Sequence, residues 1–167
     1  MVGSRSGVKT DSMAPHFQRL LVPVNGTAGD DRALAIVGAL VHKEPVHVTL
    51  VYVIEVKQSM PLDAELPSEI EKGEAILQRA EQLALQRPGA RSDLVLAELL
   101  QARTAGAAIV DEAIERKADA IVMAVRNHHR QGKITLGETV EYVLKNASCE
   151  VMAIRVPPTS RFGASSQ

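Results

Sequence analysis

The sequence predicts a single doubly wound α/β domain built on a five-stranded parallel sheet, in the order βαβαβαβαβ. Three observations predict it. Short apolar runs of the kind that form strands buried on both faces recur at residues 19–25, 46–56, 94–100, 120–125 and 151–156. Between them lie segments whose apolar residues repeat at helical spacing. The chain has 167 residues, 46% of them hydrophobic, which is enough for one well-buried core and too little for two ordinary domains. Strict alternation of strands and helices requires right-handed crossovers, and these make a parallel sheet covered on both faces.

Residues 1–16 are rich in Ser, Gly and Lys without an apolar period, and they are expected to form a disordered tail ahead of a domain spanning 17–156; residues 157–167 are expected to form a second tail. The run RLLVPVN at 19–25, bounded by Gly26, is the first strand. A turn over 26–31 follows, in which Thr27 or Asp30 is placed to cap a helix running through Ala33, Ile36, Val37 and Leu40. The second strand, VHVTLVYVIEV at 46–56, is dense in β-branched residues and follows Pro45. A loop carrying Pro61 and Pro67 leads to a helix over 68–86, where Ser68 and Glu71 have capping-box spacing and Ile70, Leu77 and Ala80 share one face. A third strand at 94–100, a third helix at 105–117 and a fourth strand at 120–125 come next. The sequence RNHHRQGKITL then reads as a basic loop that turns at Gly137 into a fourth helix over 138–147, and residues 151–156 close the sheet.

Composition removes several function classes. A formal net charge of -1 provides no overall field for nucleic acid or an anionic membrane, and two Phe, two Tyr and no Trp leave no aromatic platform for stacking bases. No stretch approaches the roughly 20 apolar residues of a membrane span, and the N-terminal residues lack the apolar core of a signal peptide. The lone Cys149 excludes an internal disulfide and is expected to pack as a small apolar residue. A cytoplasmic protein is expected.

In doubly wound sheets small molecules bind beyond the carboxyl ends of the strands, where strand order reverses. The expected site therefore gathers Asn25, Gly26 and Thr27, the end of the second strand, and the loop after Val125. A strand that delivers a basic, glycine-bearing loop onto a helix N-terminus suits an anion, because free backbone N–H groups and the helix dipole point at it.

The ordered set LLVPVNGT, DDRAL, VTLVYVIEV, AIVDEAIERKADAIVMAV and LGETVEYVLKNASCEVMAIR resembles the universal stress protein family over nearly all of residues 17–156. The resemblance implies an adenine nucleotide alpha hydrolase-like fold, a homodimer formed through the last strand, and either ATP binding or its loss. Nucleotide-binding members carry an aspartate after the first strand. After the fourth strand they carry Gly, two residues, Gly, nine residues, then Gly with Ser or Thr. Laid on this chain, the pattern puts Asn25 on the aspartate, Ala124 and Asn127 on the first two glycines, Gly137 on the third and Glu138 on the hydroxyl residue. Only Gly137 matches outright.

Asn25 keeps an acceptor for an adenine amino group or a ribose hydroxyl but loses the charge. Ala124 adds a methyl where backbone would approach phosphate. Asn127 tolerates the left-handed conformation that a glycine would adopt. Glu138 sets a carboxylate at the helix N-terminus, favouring its own dipole and competing with phosphate. Thr139 offers a hydroxyl one position on, and Arg126, His128, His129, Arg130 and Lys133 make the loop basic. The resemblance thus implies that Asn25 and the backbone near Val53 face adenine or ribose, while Arg126, Asn127, Gly137 and Thr139 face phosphate. ATP, AMP or a cyclic adenine nucleotide is the implied ligand, with no metal beyond nucleotide-bound magnesium.

Adjacent His128 and His129 lack the spacing of paired metal ligands on a helix face, and there is no GxSxG elbow or P-loop. No catalytic residue is expected. Two readings stand: a non-catalytic stress-response protein with a degenerate adenine-nucleotide site, or an interaction module regulating a transporter or kinase partner through the basic loop.

Overall fold

The computed structural model of the chain describes residues 16–41 and 44–157, at 128–130 for the backbone only; the two expected tails otherwise lie outside the described residues. Five strands form one parallel sheet: β1 (Arg19–Pro23), β2 (His47–Glu55), β3 (Val95–Ala102), β4 (Ala120–Val125) and, after an added hairpin of β5 (His128–Arg130) and β6 (Lys133–Thr135), β7 (Glu150–Arg155). Their order is β3-β2-β1-β4-β7, so the sheet starts in the middle, winds to one edge and returns to complete the other. The doubly wound α/β fold holds.

Position in the sheet explains strand composition. Central β1 is apolar on both faces, with Leu20, Leu21 and Val22 all fully buried. Edge strands β3 and β7 are only half-buried and admit Glu98, Gln101, Glu150 and Arg155. One face packs on α1 (Ala28–Leu40) and α2 (Pro67–Leu85), around Leu20, Val22, Leu34, Val48, Leu50 and Val122. The other packs on α3 (Ala105–Glu115) and α4 (Glu138–Asn146), around Leu21, Val51, Ile109, Ile121, Val140 and Val143. No helix among the described residues is long and apolar enough to cross a membrane.

Local chemistry departs from expectation in three places. The capping box at Ser68 and Glu71 is not used: Pro67, pre-set for the first helical position, starts α2 earlier, Leu66 is the N-cap, and no side chain caps it. Neither Thr27 nor Asp30 caps α1 through its side chain, since both turn back toward the end of β1. The segment read as a loop after Val125 contains an antiparallel hairpin, β5 with β6, whose two-residue turn is Gln131 (φ 49°) and Gly132 (φ 75°). Two successive positive φ values are what a tight hairpin of right-twisted strands requires.

The end of α3 is a Schellman motif. Ala118 N–H donates to Ala113 O at 2.9 Å and Lys117 N–H to Ile114 O at 3.1 Å, with Lys117 at φ 53°. This reversal returns the chain into β4 at the sheet centre.

Candidate functional site

Strand order reverses between β1 and β4, so the candidate site lies beyond Pro23 and Val125. Its first wall is the β1–α1 turn. Asn25 is exposed, and its Oδ1 accepts from Thr27 N at 3.1 Å and from Thr27 Oγ1 at 2.7 Å. Those two donors occupy the amide oxygen and fix which way the amide points. The expected free acceptor at Asn25 is therefore already used, and the group left for a ligand is the NH₂ donor.

Behind this turn sits Asp30, only 4% exposed. Its carboxylate accepts from Gly26 N at 2.7 Å and from Asn25 N at 3.2 Å, bracing the turn from below. Burial pushes the Asp30 carboxyl upward from its ordinary value, partly offset by those backbone donors. Gly26, at φ 80°, lies against Ile76 of α2, where an added Cβ would stand 2.8 Å from the Ile76 Cδ1. Arg79 Nη2 of α2 donates to Asp31 Oδ2 at 3.1 Å and its Nη1 forms an ion pair with Oδ1 at 3.1 Å, tying the two helices at the rim.

The second wall is the end of β4. Ala124 is half-buried, and its methyl faces α1: a Cβ built on Gly29 would come within 2.7 Å of it. The extra methyl at this position is thus accommodated by a glycine on the first turn of α1. Arg126 is exposed. Asn127 does not adopt the left-handed backbone expected of it; positive φ is displaced to Gln131 and Gly132, and Asn127 Oδ1 instead accepts from Arg155 Nε of β7 at 3.3 Å. The side chains of His128, His129 and Arg130 lie outside the described residues.

The third wall is the start of α4. Gly137 has φ 92° and ψ 153°, a conformation that essentially only glycine adopts without strain, so the one position matching the family pattern outright is demanded by the backbone. Glu138 is exposed and, with Glu141, places two carboxylates in the first turn of α4; Thr139 is half-buried beside it. Val53, toward the end of β2, is half-buried and packs with Leu100 on the core under α3. The fold thus brings the ends of β1 and β4 together at one edge of the sheet, with Val53 nearby at the end of β2.

Two side chains that sequence reasoning passed over shape the same edge. Glu55 Oε1 accepts from Ala105 N at 2.8 Å, so the first N–H of α3 is satisfied from within the protein. Arg103 Nη1 donates to Lys57 O at 2.6 Å and Met60 O at 2.8 Å, pinning the loop after β2. Neither has a local signature, because each partner lies more than 40 residues away. Cys149 packs on the α3 and α4 core, where burial raises its thiol and keeps it protonated, in line with an inert role.

The profile of the universal stress protein family matches residues 16–155. The chain belongs to that family. A universal stress protein of Methanocaldococcus jannaschii is 28% identical over 147 residues, covering 84% of each chain. Among solved structures, a universal stress protein from Archaeoglobus fulgidus superposes with a TM-score of 0.67 at 22% identity, over 83% of this chain and 99% of that one. A universal stress protein crystallised in complex with cAMP superposes with a TM-score of 0.61 at 18% identity, over 86% of this chain and all of that one. At these identities the two structures establish that this universal stress protein shares their fold.

Proposed function

We propose that this universal stress protein is a non-catalytic, cytoplasmic stress-response protein whose degenerate site at the β1–β4 switch point binds an adenine nucleotide weakly. The observation that carries the reading is Gly137, whose φ of 92° and ψ of 153° open α4 with the backbone a glycine permits, following a loop in which Arg126 is exposed and preceding Thr139 in the first turn. The cAMP complex of a fold relative supports a cyclic adenine nucleotide as well as ATP or AMP. Asn25 would donate its NH₂ to a ring nitrogen or ribose oxygen, Val53 would border the base, and magnesium would enter only with the nucleotide. Weakness follows from Glu138 and Glu141, which hold negative charge in the turn where phosphate would sit. The edge strand β7 has an open side, and we propose that a homodimer forms through it.

The test is a thermal titration with ATP, AMP and cAMP at millimolar concentration. Occupancy at ten times Kd stabilises the native state by about 1.4 kcal/mol, a rise of about 3–5 °C for a domain of this size. Arg126→Ala and Thr139→Val should each diminish the rise. Gly137 itself is left unchanged in this test, because any side chain there strains the backbone. No shift with any nucleotide would defeat the reading. It would favour the alternative, an interaction module regulating a transporter or kinase partner, which the internal use of the Asn25 acceptor and of the first N–H of α3 also supports.

A further inference from the structure

At the opposite end of the sheet from the nucleotide site, on the α3 and α4 face, a cavity of about 360 Å³ opens among Arg19, His47, Thr49, Asp93, Leu96 and Arg116. It exists because α3 heads for the sheet centre to feed β4, leaving the amino ends of β2 and β3 uncovered on that side; Leu96 of β3 is 40% exposed there. Thr49 pairs in register with Leu21 of β1 and Leu96 of β3, and it lies two residues before Val51, so it shares the face that packs under α3.

Two side chains of this shelf keep polar groups that no protein partner uses. Thr49 is 8% exposed, yet its hydroxyl has no hydrogen-bond partner among the described residues. Thr49 lines the cavity and its hydroxyl is not fully enclosed, so the hydroxyl is available there to a ligand, at a position where valine would keep the same shape. Arg116 is held rigidly: its Nε donates to Glu112 Oε1 at 2.7 Å and its Nη2 to Glu98 Oε1, while Nη1 has no bond among the described residues. Those two carboxylates outweigh the single charge of Arg116, but they fix the guanidinium and leave Nη1 as an unused donor. Arg19 adds a guanidinium whose side chain has no partner among the described residues, and Asp93 is already forked by Arg91 at 3.1 and 2.7 Å. The groups left facing the cavity are donors, above an apolar floor.

We propose that this shelf binds a small organic anion, its carboxylate or phosphate held by Arg19, Arg116 and the Thr49 hydroxyl and its apolar body resting on Leu96. The site is separate from the nucleotide site and does not rest on that reading.

The experiment is an amide chemical-shift titration of the whole protein with benzoate and with phenyl phosphate, using benzamide as the uncharged control. The expected shifts are confined to residues 19–21, 47–49, 93–96 and 116–118 and are absent with benzamide. Response to only one of the two anions identifies its headgroup as the one the shelf takes. Thr49→Val, which keeps shape and strand preference, and Arg19→Gln, at an exposed position, should each weaken binding about fivefold or more. Equal response to benzamide, shifts elsewhere or none with either anion, or unchanged affinity in Thr49→Val would overturn the proposal.

Discussion

A methyl added at Gly29 tests how the universal stress protein frame accommodates Ala124. The built Cβ of Gly29→Ala stands 2.7 Å from the Ala124 Cβ, about 1 Å inside the carbon–carbon optimum of 3.5–4.0 Å. Overpacking of this kind costs about 1–3 kcal/mol, while alanine in place of glycine in a helix returns up to about 1 kcal/mol. Gly29→Ala alone should therefore destabilise by about 0–2 kcal/mol. Ala124→Gly alone loses a methyl, about 0.8 kcal/mol, and adds glycine freedom in a strand, about 0.5–1 kcal/mol. In the double variant the clash disappears, so the two costs should fall short of their sum by about 1–3 kcal/mol. Urea unfolding of the four proteins at 25 °C, with unchanged m-values, measures that coupling. A coupling below about 0.5 kcal/mol, the scatter of independent sites, would refute the contact and with it the account of why this chain carries alanine at the end of β4.

Three further outcomes are expected. Gly26→Ala combines a φ of 80° with a Cβ 2.8 Å from Ile76 and should lower stability by about 2–4 kcal/mol in the same unfolding assay; a neutral result would mean the turn relaxes freely. Asp30 has a folded pKa raised above 3.8 by burial, so from 3.8 up to that raised value the native state keeps a proton the unfolded chain has lost. Its contribution to stability therefore falls as pH rises through that window and is flat above it. Asp30→Asn should remove this slope, so the variant's stability relative to the parent should climb from pH 4 upward; a constant difference would contradict the assignment. Ile154→Pro, in the edge strand β7, should yield monomers by light scattering if the dimer forms through that strand, whereas a retained dimer would place the interface elsewhere.

Strand and helix boundaries read from the sequence fall within about two residues of the structure because burial on both sheet faces leaves an unbroken apolar signature at 19–23 and 120–125, and burial on one helix face leaves a 3.6-residue period. Turn chemistry was harder to read. Ser68 and Glu71 had the spacing of a capping box, but Pro67 starts α2 one position earlier and makes it redundant. The hairpin at His128–Thr135 leaves no signature in the sequence, because its strands are only three residues each, too short for period-two alternation to register.

Periodicity and composition were enough to specify a doubly wound domain, since that depends on which residues avoid water along a local stretch of chain, and the ordered motifs carried the resemblance to the family. Whether each site residue is available to a ligand depended on neighbours distant in sequence or on the path of the backbone. The amide of Asn25 is committed by the turn that Asp30 braces, the methyl of Ala124 is absorbed by Gly29 about a hundred residues earlier, and Asn127 is engaged by Arg155 of β7. The shelf around Thr49 is likewise invisible in sequence, because an uncovered patch of sheet arises only from where α3 crosses it. Free donors and acceptors are what remain after packing has assigned partners, and those partners are chosen in three dimensions.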